Sequence, residues 1–566
     1  MKRFSVALTL LLTAIPSPAF PDTDPLSLIP ADSAVVIRIK APQSTVKAVA
    51  GFVEQVQPGA GPLIQAQATP LLGAALQNVT LAGIDLSRDI YVVLNVAEGK
   101  PQGFMLVPAS DAGAVKESTG AGQRYQFVEA DGWVASSVHS LEAVQACIDG
   151  NAKSINDSLS KDTLRLLGNG HLGVALQAAP LRSGMAKELQ QAQAEFDEFI
   201  TMMSTQLTIA APAGANLDGI VDIYRFIGEC VFQVIDDSSS AAVSVSVSNE
   251  ALTIEESLTV TGGSRTGQLL AANHPGTMEG ITSLPEGLLA YMGFHGNFEV
   301  LLELSEKLAS SLYEGENGEK MNQAMRHFKD AGIGSYFAGM GLNSGNGGLL
   351  QAAGRARLKN GDAVRKSLKV FGEGFELNVG TLKQKITYRH DAETIGDEKI
   401  TIQHLTQEMP AELDPLGMQR KMNELMYGPD GFTQRLAVRD RELLQTVGGG
   451  KAAMESMVKG TKNKDTDLLE TLGRLGGDSN LLAVADIPNS LRDFGKLVLA
   501  VTPAPVAITK EQLDNLEIAP SWAGFSVTAS ENQVTAKTHI PIETIQGVTR
   551  LTLFLVQQVN GTPAVP

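Results

Sequence analysis

The feature that most constrains this chain is a short pattern that it uses twice. Ile29-Pro30-Ala31-Asp32-Ser33 precedes a strand-like run from Ala34 to Lys40, and a helical stretch from Ser44 carries Val46, Val49, Ala50, Val53 and Val56 on one face. From Leu284-Pro285-Glu286-Gly287 the same grammar returns: a strand-like Leu288 to Phe294, then Asn297 ahead of a stripe of Leu301, Leu304, Leu308 and Leu312. Pro fixes the turn, Ser44 or Asn297 is placed to cap the helix, and the apolar stripe is expected to lie on a sheet.

Further similarities follow in the same order. Asp162-Thr163-Leu164, Leu166 and Leu167 lead into the strand Leu172 to Leu176 and then Pro180-Leu181-Arg182, which opens a long helix to about Met203. Asp467-Leu468-Leu469, Leu472 and Leu475 lead into Leu481 to Ala485, then Pro488 and Leu491-Arg492. Each part closes on alternating strands, Ala242 to Val247 and Ala251 to Val260 in one, Phe525 to Ala529 and Val534 to Ile540 in the other. Similarities in one order predict duplication. The expected fold is α+β, two related halves each with an antiparallel or mixed sheet and helices packed on one face, because period-two alternation marks sheet with one covered face. His274-Pro275-Gly276 punctuates the join, giving halves at 20–272 and 273–566. Val79 to Val96, Gly103 to Val107 and Gln126 to Ser137 also read as strands. Gly341 to Gly348 reads as a hairpin loop between Tyr336 to Met340 and Leu349 to Arg357, and Asp414 to Met426 as a helix.

Residues 1–19 have the grammar of a secretory signal peptide: Lys2 and Arg3, an apolar run from Phe4 to Ile15, and Ser17 and Ala19 as small residues before cleavage at Phe20. The run is shorter than the roughly 20 residues needed to span a bilayer, and Pro16 and Pro18 would break a longer helix. With cysteine only at 147 and 230, no thiol stands at the cleavage site to carry a lipid. The expected product is exported to the periplasm or the outside, is soluble, and has no transmembrane segment. Removing Lys2 and Arg3 leaves 43 basic against 62 acidic residues, a net charge of −19. That balance disfavours nucleic acid and anionic lipid headgroups as partners. Cys147 and Cys230 could form a disulfide in an oxidising compartment, yet each also lies in a helix-like stretch and reads equally well as a small buried hydrophobe.

The I/L-P-A/E turns, Gly83-Ile84-Asp85-Leu86, and Asp131-Gly132-Trp133-Val134 ahead of Ser140-Leu141-Glu142-Ala143 resemble exported bacterial proteins that carry an uncharacterised domain of unknown function. The resemblance implies an exported α+β fold and transfers no active-site residue. The second half departs most, with no clear G-I-D-L equivalent.

No chemical motif outweighs a plainer reading. Ser44-Thr45-Val46-Lys47 matches the S-x-x-K of penicillin-binding proteins, so Ser44 and Lys47 are catalytic candidates for a serine acyl hydrolase or peptidoglycan-active enzyme. The companion K-T-G is missing, because Lys537-Thr538 continues as His539, and Ser44 reads more simply as a helix N-cap. Gly448-Gly449-Gly450-Lys451 lacks the rest of a phosphate loop and reads as a turn or helix break. The histidines at 139, 171, 274, 295, 327, 390, 404 and 539 have no metal-ligand spacing, and Asp236-Asp237 reads as a solvated turn. The chain therefore points away from an enzyme, with no cofactor or metal, and towards an exported binding or scaffolding protein of the cell envelope. Its apolar stripes could line a groove for a hydrophobic ligand or an envelope partner. An envelope structural role is a third option.

Overall fold

In the computed structural model the described residues run from 24 to 559, apart from 98–99, 121–123, 211–217, 300–301, 304, 307–314, 343–347, 380–381, 409–413, 416, 430, 461 and 502–507. The signal-like stretch at 1–19 and the stripe residues Leu301, Leu304, Leu308 and Leu312 lie outside them. The fold is α+β, and every strand ladder is antiparallel. Two compact units are present: Gly59–Ala186, with the segment up to Glu54 and Ser240–Ser244, and Lys187–Ser239 with Gln55–Pro58 and everything from Val245.

In the first unit the strands are β1 (Val35–Ile39), β2 (Ile90–Ala97), β3 (Lys100–Pro108), β4 (Gln126–Ala130), β5 (Trp133–Ser137) and β6 (Leu172–Gln177). They pair in the order β4-β5-β3-β2-β1-β6. One face buries Val36, Tyr91, Val93, Leu106, Trp133 and Ala175 beneath Leu141, Val144 and Leu167 from the helices Glu142–Ile148 and Lys161–Gly168 and their approaches. Full burial of one such side chain is worth about 1.5–3 kcal/mol. The helix Ala178–Gly184 packs on β2 and β6 from the other face, where Gly184 lies so close to Val96 that a Cβ would collide with it. Arg38, in the middle of β1, is buried. Its Nε donates to Asp89 at 2.6 Å, and its Nη1 donates to the Gly168 carbonyl at 2.7 Å and to those of Leu167 and Asn169 at 3.3 and 3.4 Å.

Strands β7 (Ser238–Val247) and β8 (Ala251–Val260) follow a pair of long helices, Ala186–Ala210 and Asp218–Asp237. The two-residue β9 (Gly276–Thr277) is succeeded by β10 (Ala290–His295), β11 (Ile333–Leu342), β12 (Leu350–Leu358), β13 (Gly374–Val379), β14 (Leu382–Ile395) and β15 (Glu398–Glu408). Then come β16 (Phe432–Val438), β17 (Glu442–Val447), the short β18 (Asp478–Ser479), β19 (Leu481–Asp486), β20 (Trp522–Ser530) and β21 (Gln533–Pro541). The second unit pairs β13-β14-β15-β16-β17-β12-β11-β10-β19-β20-β21-β8. Strand β8 stands before the sequence-drawn join at 273, yet it is hydrogen-bonded along its length to β21.

The second core is centred on Phe337, which is fully buried against Gly280 and Gly293, with Ile281, Leu284, Tyr291, Leu482 and Trp522 around it. A Cβ on Gly280 would stand 2.2 Å from the Phe337 ring, so glycine is what lets the ring lie there. Tyr291 is buried with its hydroxyl satisfied twice: it donates to the Pro285 carbonyl at 2.7 Å and accepts from Asn463 Nδ2 at 2.9 Å. Burial pushes its phenol up to about 12. Tyr291→Phe strands both partners, and equilibrium urea unfolding is expected to show a loss of about 2 kcal/mol, within the range for buried groups left unpaired.

Several sequence expectations are corrected. Only Ile90–Ala97 of the run Val79 to Val96 is strand, because buried Asn78 folds the preceding residues into a turn, bonding both Ala82 N–H and its carbonyl, and Gly83 stands at φ 75°. The helix expected from Ser44 begins at Pro42, and the long helix after Pro180 is two, Ala178–Gly184 and Ala186–Ala210. Asp237 is no solvated turn: it closes the Asp218–Asp237 helix and accepts the Thr266 N–H at 2.8 Å, which holds its carboxyl below the usual range. Asn297 Oδ1 accepts the Glu299 N–H at 2.9 Å, as a helix cap does.

Candidate ligand groove

Strands β10, β11, β12, β19, β20 and β21 present alternate residues to two faces. On β19 the pattern is regular: Leu482, Val484 and Asp486 are buried, while Leu481, Ala483 and Ala485 turn to the other side. On β11 Phe337 goes to the core and Tyr336, Ala338 and Met340 go opposite; on β10 Tyr291 goes to the core and Ala290 and Met292 opposite. This second face is paved with small side chains, and a groove of about 560 Å³ lies over it. Ala290, Ala338, Ala352, Ala483, Ala485 and Ala523 contribute to the floor, and Met292, Met340, Phe525, Ile487 and Ile540 rise around it. Met340 at 56% exposed, Met292 at 44% and Phe525 at 40% show that the groove is open to solvent. Its volume lies within the roughly 300–1,000 Å³ usual for small-molecule sites. Among the described lining residues none is Asp, Glu, Lys, Arg or His, and the polar side chains are Tyr336, Gln445 and Thr538, with the buried hydroxyl of Tyr291 already committed to Pro285 and Asn463.

At the end of β19 Asp486 is buried, and its two oxygens accept the Asn489 N–H at 3.3 Å and Asn489 Nδ2 at 2.7 Å. Burial outweighs these bonds and raises its carboxyl above the ordinary value. The folded protein therefore holds this proton more tightly than the unfolded chain does. Between the ordinary value near about 4 and the raised one, its contribution to stability is greatest at the acid end and falls as pH rises. Urea unfolding of the protein and of Asp486→Asn across that window is expected to show the stability difference, protein minus variant, shrinking as pH rises and then levelling.

The opposite side of β21 has different chemistry. Lys537 and His539 face Thr253, Glu250, Asp467, Glu470 and Arg474 in a polar pocket of about 530 Å³. Arg474 pairs with Glu470 at 3.2 Å and reaches Glu250 at 3.8 Å. Burial, with Arg474 and Lys537 nearby, lowers the imidazole of His539, which lies 3.4 Å from Thr253 Oγ1.

The sequence-drawn candidates fall elsewhere. Ser44 and Lys47 are both exposed in the first turns of Pro42–Val56, and Ser44 Oγ donates to the Ala41 carbonyl at 2.9 Å instead of capping the helix from outside. Cys147 and Cys230 are both free thiols in the structure; Cys147 Sγ contacts the Lys153 carbonyl at 3.5 Å, and burial with Asp32 and Asp157 raises its thiol. Gly448, Gly449 and Gly450 all take left-handed φ between β17 and the helix Gly450–Lys459, where a Cβ on Gly448 would strike the Leu350 carbonyl. His295 Nδ1 lies 3.2 Å from the His274 carbonyl, His390 from that of Gly372 at 2.9 Å, and His404 from Thr433 Oγ1 at 2.9 Å. No cluster of three or more His, Cys, Asp or Glu among the described residues is arranged to hold a metal, and none of their helices is long and apolar enough to cross a membrane. The groove itself was not read from the sequence; its signal is the alternate alanines Ala483 and Ala485 of β19, joined by Ala290, Ala338, Ala352 and Ala523 on neighbouring strands. No protein-family model matches the chain, nor does any curated protein or solved structure.

Proposed function

We propose that this chain is an exported, non-enzymatic binding protein of the cell envelope, built from two copies of one α+β unit, the second of which holds an apolar ligand on the open face of its sheet. The observation that carries the ligand reading is the uncharged groove floored by alanine. An apolar molecule laid there removes its own surface and the Met and Phe walls from water, at about 25 cal/mol per Å².

The duplication is supported by register. Val35 lies across from Leu94 and Leu176, and Ala290, equally far beyond its own turn proline, lies across from Met340 and Ala485. Ala34 N–H donates to the Leu94 carbonyl and Gln177 N–H to that of Ala34; Leu289 N–H donates to Met340 and Asp486 N–H to Leu289 in the same way. On this correspondence Val35, Val92, Val174 and Leu176 of the first copy become Ala290, Ala338, Ala483 and Ala485 of the second. Large side chains fill that face in one copy, and their truncation opens it in the other. Export is supported by the signal-like residues 1–19, and a purified exported protein beginning at Phe20 is the expected product.

The ligand reading is tested by titrating the protein with an uncharged naphthylamine fluorophore. Saturable enhancement at one site per chain is expected, whereas enhancement that stays linear with concentration would contradict it.

A further inference from the structure

The polar atoms of the groove restrict its ligand more than the apolar ones do. Gln434 Nε2 donates to Gln445 Oε1 at 3.2 Å, and Gln445 Nε2 donates to the Tyr336 hydroxyl. The phenol oxygen is thus used as an acceptor, and its own proton has no acceptor among the described residues. Tyr336 lines the groove, and burial raises its phenol, so the proton stays in place through the neutral range. A fixed O–H donor in an otherwise apolar, uncharged wall asks for an acceptor on the ligand. An anionic head would satisfy the hydrogen bond but would lose its hydration with no cation beside it, a cost of several kcal/mol.

Resting on the apolar-ligand reading above, we infer that the groove selects an uncharged amphiphile, a hydrocarbon body with a single carbonyl-type acceptor such as a ketone or ester, anchored by the Tyr336 hydroxyl that Gln445 orients. A fatty-acid anion and a plain alkane are both discriminated against, the first by desolvation of its charge and the second because it leaves the donor unpaired.

The experiment is displacement of the naphthylamine probe from the full chain at pH 8 by 2-dodecanone, dodecanoate and dodecane. The ketone is expected to displace the probe at concentrations at least tenfold lower than dodecanoate, and severalfold lower than dodecane. Tyr336→Phe is expected to abolish the ketone's advantage over the alkane, read as the ratio of their displacing concentrations measured on the variant itself, a ratio that a general loss of binding would not change. Dodecanoate equal to or better than the ketone, or a ketone no better than the alkane, overturns the inference and leaves the apolar-ligand reading standing. Absence of saturable probe uptake overturns both.

Discussion

The variant carrying Ala338→Val, Ala483→Val and Ala485→Leu is expected to bind the apolar probe at least tenfold more weakly than the unaltered chain while unfolding within about 1 kcal/mol of it. These substitutions place on the second sheet the residues that the proposed duplication pairs with them in the first sheet, Val92, Val174 and Leu176. The three alanines face an open groove, so the added methyl groups occupy solvent-accessible volume instead of a packed interior. Overpacking a filled core costs about 1–3 kcal/mol, but that penalty needs neighbours on every side. Fluorescence titration gives the binding loss and urea unfolding the stability. A variant that unfolds normally and still binds the probe with unchanged affinity would place the binding elsewhere.

Arg38→Ala is expected to destabilise the first unit by about 3–5 kcal/mol, the range for breaking a buried ion pair by removing one partner. The guanidinium joins Asp89 to the carbonyls that end the helix Lys161–Gly168, so its removal leaves a half-buried carboxylate and the helix C-terminus without their donor. The Asp89 carboxylate keeps one bond, from Ala41 N–H at 3.0 Å, which does not replace the lost charge. Urea unfolding followed by Trp133 fluorescence is a suitable readout, since that indole packs against Tyr91 with ring centroids 6.0 Å apart in the same core. A loss below about 1 kcal/mol would reduce the pair to the value of a surface salt bridge.

Much of the strand content was legible because proline, glycine and alternation are local signals. Leu481 to Ala485, Phe525 to Ala529 and Val534 to Ile540 all fall within observed strands, and the two strands drawn on either side of Gly341 to Gly348 are β11, which runs on to Leu342, and β12. The failures have physical causes. Val79 to Val96 is apolar enough for a strand, but the turn ahead of β2 is set by a buried asparagine whose role appears only in three dimensions. The long hairpin of β14 and β15 was missed because both strands carry many charged and polar residues, as in Lys383 to Arg389, and are held by pairing more than by burial. Arg38 carries no signal of its own within the strand-like run Ala34 to Lys40, yet it points to a cluster of carbonyls. The groove was invisible because alanine in a strand reads as tight packing, and only knowing which face lacks a cover turns small residues into space.

The most direct test of the central claim is native mass spectrometry of the mature protein, purified gently from the exported fraction of its own host. A reproducible excess mass that denaturation releases, belonging to an uncharged apolar molecule and absent from the Ala338→Val, Ala483→Val, Ala485→Leu variant, is the predicted result. A bare polypeptide mass, in a preparation that also fails to take up the apolar probe, would contradict it.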